Sequence, residues 1–171
     1  GYDVLVRRVQ AFSTLGCLRD PVFSFMTRYS DFELAELIIH EQTHATLFVK
    51  NDTEFNEQLA TFVGREGALL YLERIHGSES AAYRHAEGSL RDRERFVDLF
   101  HGLHRRLDAL YRSGASENEK LRRKRLIIRG FQDDLSRSYQ DYFATDAYRH
   151  VADVEINNAL VLSVMRYTAD L

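Results

Sequence analysis

The stretch LIIHEQTHATLFV, from Leu37 to Val49, places two histidines and a glutamate inside an apolar run. A polar group that is buried without a hydrogen-bond partner costs roughly 2–7 kcal/mol. Any fold of this chain must therefore give partners to His40, Glu41 and His44. Those partners are either ordinary hydrogen bonds in the core or a metal ion, and the choice between them decides the function.

The residues before this stretch carry a signal for the start of a helix. Ser30 and Glu33 form the capping-box pattern S-x-x-E, in which each side chain accepts a hydrogen bond from the backbone N–H of the other residue. A helix is therefore predicted to continue through the motif as far as Val49. Most of its circumference is apolar, which predicts that it is buried.

On such a helix the polar residues are arranged for metal chemistry. His40 and His44 are separated by about one turn, so both imidazoles can bind one ion. Glu41 lies beside that face and can act on a water molecule held there. The pattern H-E-x-x-H is typical of zinc peptidases because it supplies two ligands and a general base.

A third ligand is expected, since catalytic zinc usually takes three protein ligands and leaves one position for water. A second helix is predicted from about Glu54 to Ile75, with an inward apolar stripe. Glu57 on this helix is the preferred third ligand. Glu54, one turn earlier, is the alternative, but the helix dipole already explains a carboxylate in the first turn. The stripe consists of Phe55, Leu59, Phe62, Leu69 and Leu72.

The remaining sequence predicts more helices and one strand. Two long helices, about 79–111 and 117–143, flank a turn at Gly114, which predicts an antiparallel helical hairpin over 79–143. The segment YDVLVRRVQAFST, rich in valine and aromatic residues, predicts a strand near the N-terminus. The predicted fold class is therefore mainly α with a small β element (α+β), in one domain over residues 1–171.

Composition excludes several classes of function. The net charge of −3 and the pI of about 6.2 give no reason to expect a nucleic-acid partner. The basic run LRRKRL (Leu121–Leu126) is flanked by acidic residues and is interpreted as a solvated helix face. No apolar run reaches the ~18 residues of a membrane-spanning helix. The single cysteine, Cys17, excludes an intramolecular disulfide, and His101 with His104 is not expected to bind metal.

Two segments resemble known metallopeptidases. HEQTH followed by NEQLAT resembles the gluzincins, and LGCLRDP, LAELIIHEQTHATLFVKNDTEFNEQLATFVGREG and INNALVL…RYTADL resemble the bacterial predicted-aminopeptidase family. The resemblance implies a zincin-like metallopeptidase core and a Zn2+ cofactor bound by His40, His44 and Glu57, with Glu41 as base. It also implies the cell envelope or periplasm, and because the family continues further, the chain is expected to be a fragment of a longer one or else a natural short form. Thr61 stands where gluzincins often carry an acid that orients a ligand histidine.

Three functions are consistent with these residues. The preferred one is a zinc-dependent peptidase that hydrolyses peptide substrates with a metal-activated water, and the family resemblance suggests an aminopeptidase. The second is a catalytically silent zinc-fold protein that binds partners through its helical hairpin. The third is a helical interaction or nucleic-acid module in which HEQTH is accidental. The sequence decides neither the oligomeric state nor exopeptidase against endopeptidase activity.

The peptidase hypothesis assigns further residues. The strand over Val9–Thr14 is expected to bind extended substrate as an added strand. Tyr167 is expected to donate to the oxyanion, and Asn157 and Asn158 to contact substrate. Ordinary helix capping or packing explains these last three residues equally well.

Overall fold

A computed structural model of the chain describes residues 3–6 and 23–166. These residues divide into two compact units. Residues 23–87 contain the HEQTH motif and are called the motif unit. Residues 88–166 together with 3–6 are called the hairpin unit. The prediction of one domain over 1–171 concerns both units together and stays a prediction.

Two helices make up most of the motif unit. After a short 3₁₀ helix, α1 (Asp31–Thr46) and α2 (Thr53–His76) pack against each other. The helix α1 begins at the predicted capping box, where the Ser30 N–H donates to Glu33 Oε2 at 2.8 Å and the Glu33 N–H donates to Ser30 Oγ at 3.2 Å. The helix ends at Thr46 rather than at Val49: the backbone of Leu47 is extended, and residues 47–49 belong to no helix.

The buried face of α2 differs from the predicted stripe. Phe55 and Phe62 were expected in the core but are 43 % and 52 % exposed. The buried positions follow a four-residue spacing along one ridge of the helix. This ridge consists of Asn56, Ala60, Gly64, Ala68 and Leu72. The prediction holds for Leu72 but was wrong for Phe55 and Phe62, because it selected the largest apolar side chains, whereas close contact between two helices selects small ones.

The small residues bring the two helix backbones close together. A Cβ atom added at Gly64 would lie 3.0 Å from the Glu36 carbonyl oxygen and 3.3 Å from His40 Cβ. One added at Gly67 would lie 2.9 Å from Ile39 Cδ1. Gly64 and Gly67 are therefore positions at which α1 and α2 pack closely.

The hairpin unit is built on two antiparallel helices, α3 (Ala81–Arg112), which begins in the motif unit, and α4 (Glu117–Arg137). The rings of Phe100 and Phe131 lie 5.4 Å apart, and Lys120 Nζ donates to the Tyr111 carbonyl at 2.8 Å. Residue numbers thus rise on one helix as they fall on the other. The core of this unit includes Phe100, Leu103, Leu107, Ile128, Phe131, Leu135, Tyr139, Phe143, Val151, Ile156 and Val161.

The end of this helix pair differs from the prediction of one helix to residue 143. The helix α4 stops before Ser138, and a separate short helix α5 (Tyr139–Tyr142) follows. This break lets both Tyr139 and Phe143 enter the core. A second 3₁₀ helix and α6 (Asn158–Arg166) complete the unit.

Two polar side chains fix connecting segments in the hairpin unit. Asp92 is only 1 % exposed, and its carboxylate accepts from the N–H groups of Ala144 and Thr145 at 2.8 and 2.7 Å. Gln132 Nε2 donates to the carbonyls of Ala152 and Val154 at 3.0 and 2.8 Å. Buried or half-buried polar groups here are therefore satisfied by backbone partners.

The predicted α+β class is wrong for the part of the chain that the structure describes. Every regular element in residues 3–6 and 23–166 is a helix, so these residues form an all-α structure and not a zincin-like core with a sheet. Residues 3–6 are irregular, with Val4 and Val6 exposed; Val9–Thr14 lies outside the described residues. A lone extended segment has no neighbouring strand to satisfy its backbone hydrogen bonds. No described helix has the length and apolar character needed to cross a membrane.

Candidate metal centre

The side chains of three residues that can bind a metal converge between α1 and α2. His40 Nε2 and His44 Nε2 lie 3.2 Å apart. Glu57 Oε2 is 3.6 Å from the first of these atoms, and Glu57 Oε1 is 3.5 Å from the second. Among the histidine, cysteine and acidic side chains of residues 3–6 and 23–166, these three form the group that is suited to hold a metal ion.

Helix geometry explains why these atoms meet. The spacing of His40 and His44 places their rings one turn apart on α1. The two ring centroids are 4.8 Å apart, and the ring planes are inclined at 86° to each other. The helix α2 then runs back along α1 and presents Glu57 in its second turn. The side chains of His40 and His44 are 22 % and 12 % exposed and that of Glu57 is 43 % exposed. The group is therefore shielded on the histidine side and open to solvent on the carboxylate side.

The arrangement fits a zinc ion. In tetrahedral coordination with bonds of about 2.0–2.1 Å, neighbouring ligand atoms lie about 3.3–3.4 Å apart. The separation of the two histidine nitrogens, 3.2 Å, is close to that distance, and each nitrogen has a different oxygen of the Glu57 carboxylate at 3.5–3.6 Å. Two histidines and a glutamate also form a known donor set of catalytic zinc sites. Both imidazoles must be neutral to offer their Nε2 lone pairs to the ion.

The structure also places the other acidic residues of the motif. Glu54 lies exposed in the first turn of α2 and is not part of the three-residue group, whereas Glu57 is. Glu41 follows His40 on α1 and is half-buried. The structure thus brings together the three residues preferred as ligands, with Glu41 directly beside them in the sequence.

The remaining predicted site residues are elsewhere. Tyr167 lies outside the described residues. Asn157 and Asn158 belong to the hairpin unit, where Asn157 Oδ1 accepts from the Leu160 N–H at 2.9 Å and caps α6. Asn158 Oδ1 accepts from the Tyr111 hydroxyl at 2.9 Å. These are the capping and packing contacts that the sequence left open, and the substrate contacts stay predictions.

Sequence reasoning missed one polar residue beside the group. Asn56 directly precedes Glu57 and is 2 % exposed. Its Oδ1 accepts from the Val49 N–H, and its Nδ2 donates to the Val49 carbonyl, both at 2.8 Å. The sequence carries no signal for this burial, because the four-residue ridge on which Asn56 lies becomes apparent only once α1 and α2 are packed together.

Comparison with known proteins assigns the chain to a family. A family model described as "Putative aminopeptidase" matches residues 1–171. The chain belongs to this aminopeptidase family. The name of the family suggests that it is a peptidase, and the membership predicted from HEQTH and its flanking segments is confirmed. The chain matches no curated protein and no solved structure.

Proposed function

We propose that this protein is a zinc-dependent peptidase whose metal is held by His40, His44 and Glu57. The observation that carries the proposal is the convergence of these three side chains at separations suited to one zinc ion. Membership of the aminopeptidase family supports the same reaction class from an independent direction. The family name also favours substrates that are cleaved at their N-terminal residue.

Each residue has a distinct role in this proposal. A bound zinc ion supplies Lewis-acid polarisation of the scissile carbonyl and makes water a stronger nucleophile. The two histidines contribute neutral Nε2 lone pairs, and the carboxylate of Glu57 contributes negative charge. Glu41 is offset from His40 by about 100° around the helix, and in this proposal its carboxylate acts as a base rather than as a ligand.

The proton transfers assigned to Glu41 balance the reaction. Its carboxylate accepts a proton from the attacking water as the new C–O bond forms. It then delivers that proton to the nitrogen of the leaving amine as the C–N bond breaks. The products are a carboxylic acid and a free amine, and Glu41 returns to its ionised form.

The test compares the wild-type protein with Glu41→Gln after both are loaded with zinc. Glutamine keeps the size and polarity of the side chain but cannot act as a base. We expect Glu41→Gln to keep one zinc per chain and a near-native melting temperature, while peptide hydrolysis falls by about 10²–10⁴-fold. Glu66→Gln, an exposed position on α2, is the matched control and should keep full activity.

The substrate panel should contain free and N-acetylated versions of the same peptides. Loss of cleavage upon acetylation identifies an aminopeptidase, since that activity needs a free amine. Undiminished hydrolysis by zinc-loaded Glu41→Gln would refute the mechanism. A wild-type protein that holds zinc but cleaves nothing in the panel contradicts the peptidase assignment and favours a non-catalytic zinc protein.

A further inference from the structure

The connection between α1 and α2 determines whether the ligands meet. His40 and His44 lie before this connection, which covers residues 47–52, and Glu57 lies after it. A change in the path of the connection moves the carboxylate relative to the imidazoles. A small displacement matters, because the two distances from Glu57 to the imidazole nitrogens, 3.6 and 3.5 Å, leave little tolerance.

Apolar packing does little to hold this connection in place. Leu47, Phe48 and Val49 are 51 %, 55 % and 40 % exposed. Its backbone hydrogen bonds include the one from the Leu47 N–H to the Thr43 carbonyl at 2.9 Å, which ends α1, and one turn in which the Asp52 N–H donates to the Val49 carbonyl at 3.3 Å. Further contacts that hold the connection come from a side chain of α2.

Asn56 provides those contacts. Its amide pairs with both backbone polar groups of Val49, the N–H and the carbonyl, at 2.8 Å each. Two hydrogen bonds to one residue fix orientation as well as distance, which one bond cannot do. Since the side chain is 2 % exposed, water does not compete for these bonds. The amide thus ties the connection to the turn of α2 that carries Glu57.

We propose that Asn56 is a positioning residue for the metal centre. By holding Val49, it sets the path of the connection so that Glu57 faces His40 and His44. The inference rests on the proposed function in one respect, namely that His40, His44 and Glu57 bind zinc. A positioning role differs from a role in stability alone. It requires that removing the Asn56 amide weakens metal binding more than removing a comparable amide elsewhere in the chain does.

The experiment measures zinc affinity and folding stability separately. Zinc dissociation constants are determined by competition with a chelating indicator for the wild type, Asn56→Ala and Gln132→Ala. Urea unfolding of the metal-free proteins gives stability. Gln132 is the matched control, because its side-chain amide also holds backbone carbonyls, but in the hairpin unit. Asn56→Ser, which keeps a small polar group, serves if Asn56→Ala does not fold.

We expect Asn56→Ala to weaken zinc binding by about 10–100-fold, the range found when groups that support metal ligands are removed. Gln132→Ala should lower the urea midpoint while leaving zinc affinity unchanged. The absorption spectrum of the cobalt-loaded Asn56 variant should also change, because it reports coordination geometry. Wild-type zinc affinity in the Asn56 variant, or an equal loss in Gln132→Ala, would overturn the inference. A wild-type protein that binds no zinc instead refutes the proposed function itself, and the inference with it.

Discussion

Replacing Gly64 by alanine tests how closely α1 and α2 approach each other. The new Cβ atom would lie 3.0 Å from the carbonyl oxygen of Glu36 and 3.3 Å from Cβ of His40. Backbone atoms and a Cβ atom cannot rotate out of the way as the end of a long side chain can. The helices must therefore separate by a few tenths of an ångström at the position of a ligand.

The expected magnitude comes from two opposing effects. Alanine in place of glycine stabilises a helix interior by about 1 kcal/mol. Adding a methyl group to a tightly packed contact typically costs about 1–3 kcal/mol. Gly64→Ala should therefore be neutral or destabilising by up to about 2 kcal/mol. Gly130 lies in the interior of α4, and no atom lies within 4 Å of a Cβ added there. Gly130→Ala should therefore raise the free energy of unfolding by most of the roughly 1 kcal/mol by which alanine is the better helix former.

The assay is urea unfolding of both variants, combined with titration of zinc. Gly64→Ala should unfold at a lower urea concentration than Gly130→Ala and should bind zinc more weakly than the wild type. Gly130→Ala should retain wild-type zinc affinity. If the two substitutions stabilise the protein equally and both leave zinc affinity unchanged, the close contact at Gly64 does not position His40.

Two further predictions concern charged residues. Glu57→Ala should release zinc in equilibrium dialysis while Glu54→Ala retains it, because only Glu57 joins the histidine group; zinc loss from Glu54→Ala alone reverses the assignment. Hydrogen bonds from Lys124, and then from a backbone N–H, hold the pKa of Asp3 below its ordinary value. The Asp3 carboxylate therefore stabilises the fold fully above the pKa that it has in the unfolded chain, about 3.9. This stabilisation is lost as the pH falls through the lower pKa of the folded state. Asp3→Asn should thus lower the urea midpoint near neutral pH but not in strong acid, and an equal loss at both pH values contradicts this.

Local patterns in the sequence predicted the start of α1 and the three residues that form the candidate metal group. The capping box at Ser30 depends on residues three positions apart, so the sequence contains all the information needed. The same is true of His40 and His44, whose spacing places them on one helix face whatever surrounds them. Glu57 required one further step, the prediction that the next helix returns along the first.

Features that depend on tertiary contacts could not be predicted in this way. Phe55 and Phe62 have the spacing of a core stripe, yet α1 packs against the smaller residues beside them. As a polar residue near the start of a helix, Asn56 would be expected at the surface. Its burial depends instead on the path of the connection, which places Val49 against its amide. The described part of the predicted strand, residues 3–6, is irregular, because strand formation needs a partner segment, which a single stretch of sequence cannot reveal.

The position of the ligands along the chain has a consequence for the order of folding. The three proposed ligands fall within residues 40–57, so the loop that a metal ion closes is short and its entropic cost is small. The hairpin unit instead joins Asp3 to Lys124 and to Asn158, across 121 and 155 residues. Because contacts between distant residues form slowly and synthesis proceeds from the N-terminus, the metal centre can assemble on the ribosome before α6 exists. Zinc capture would then precede completion of the hairpin unit, and the metal supply during synthesis would affect the yield of folded protein.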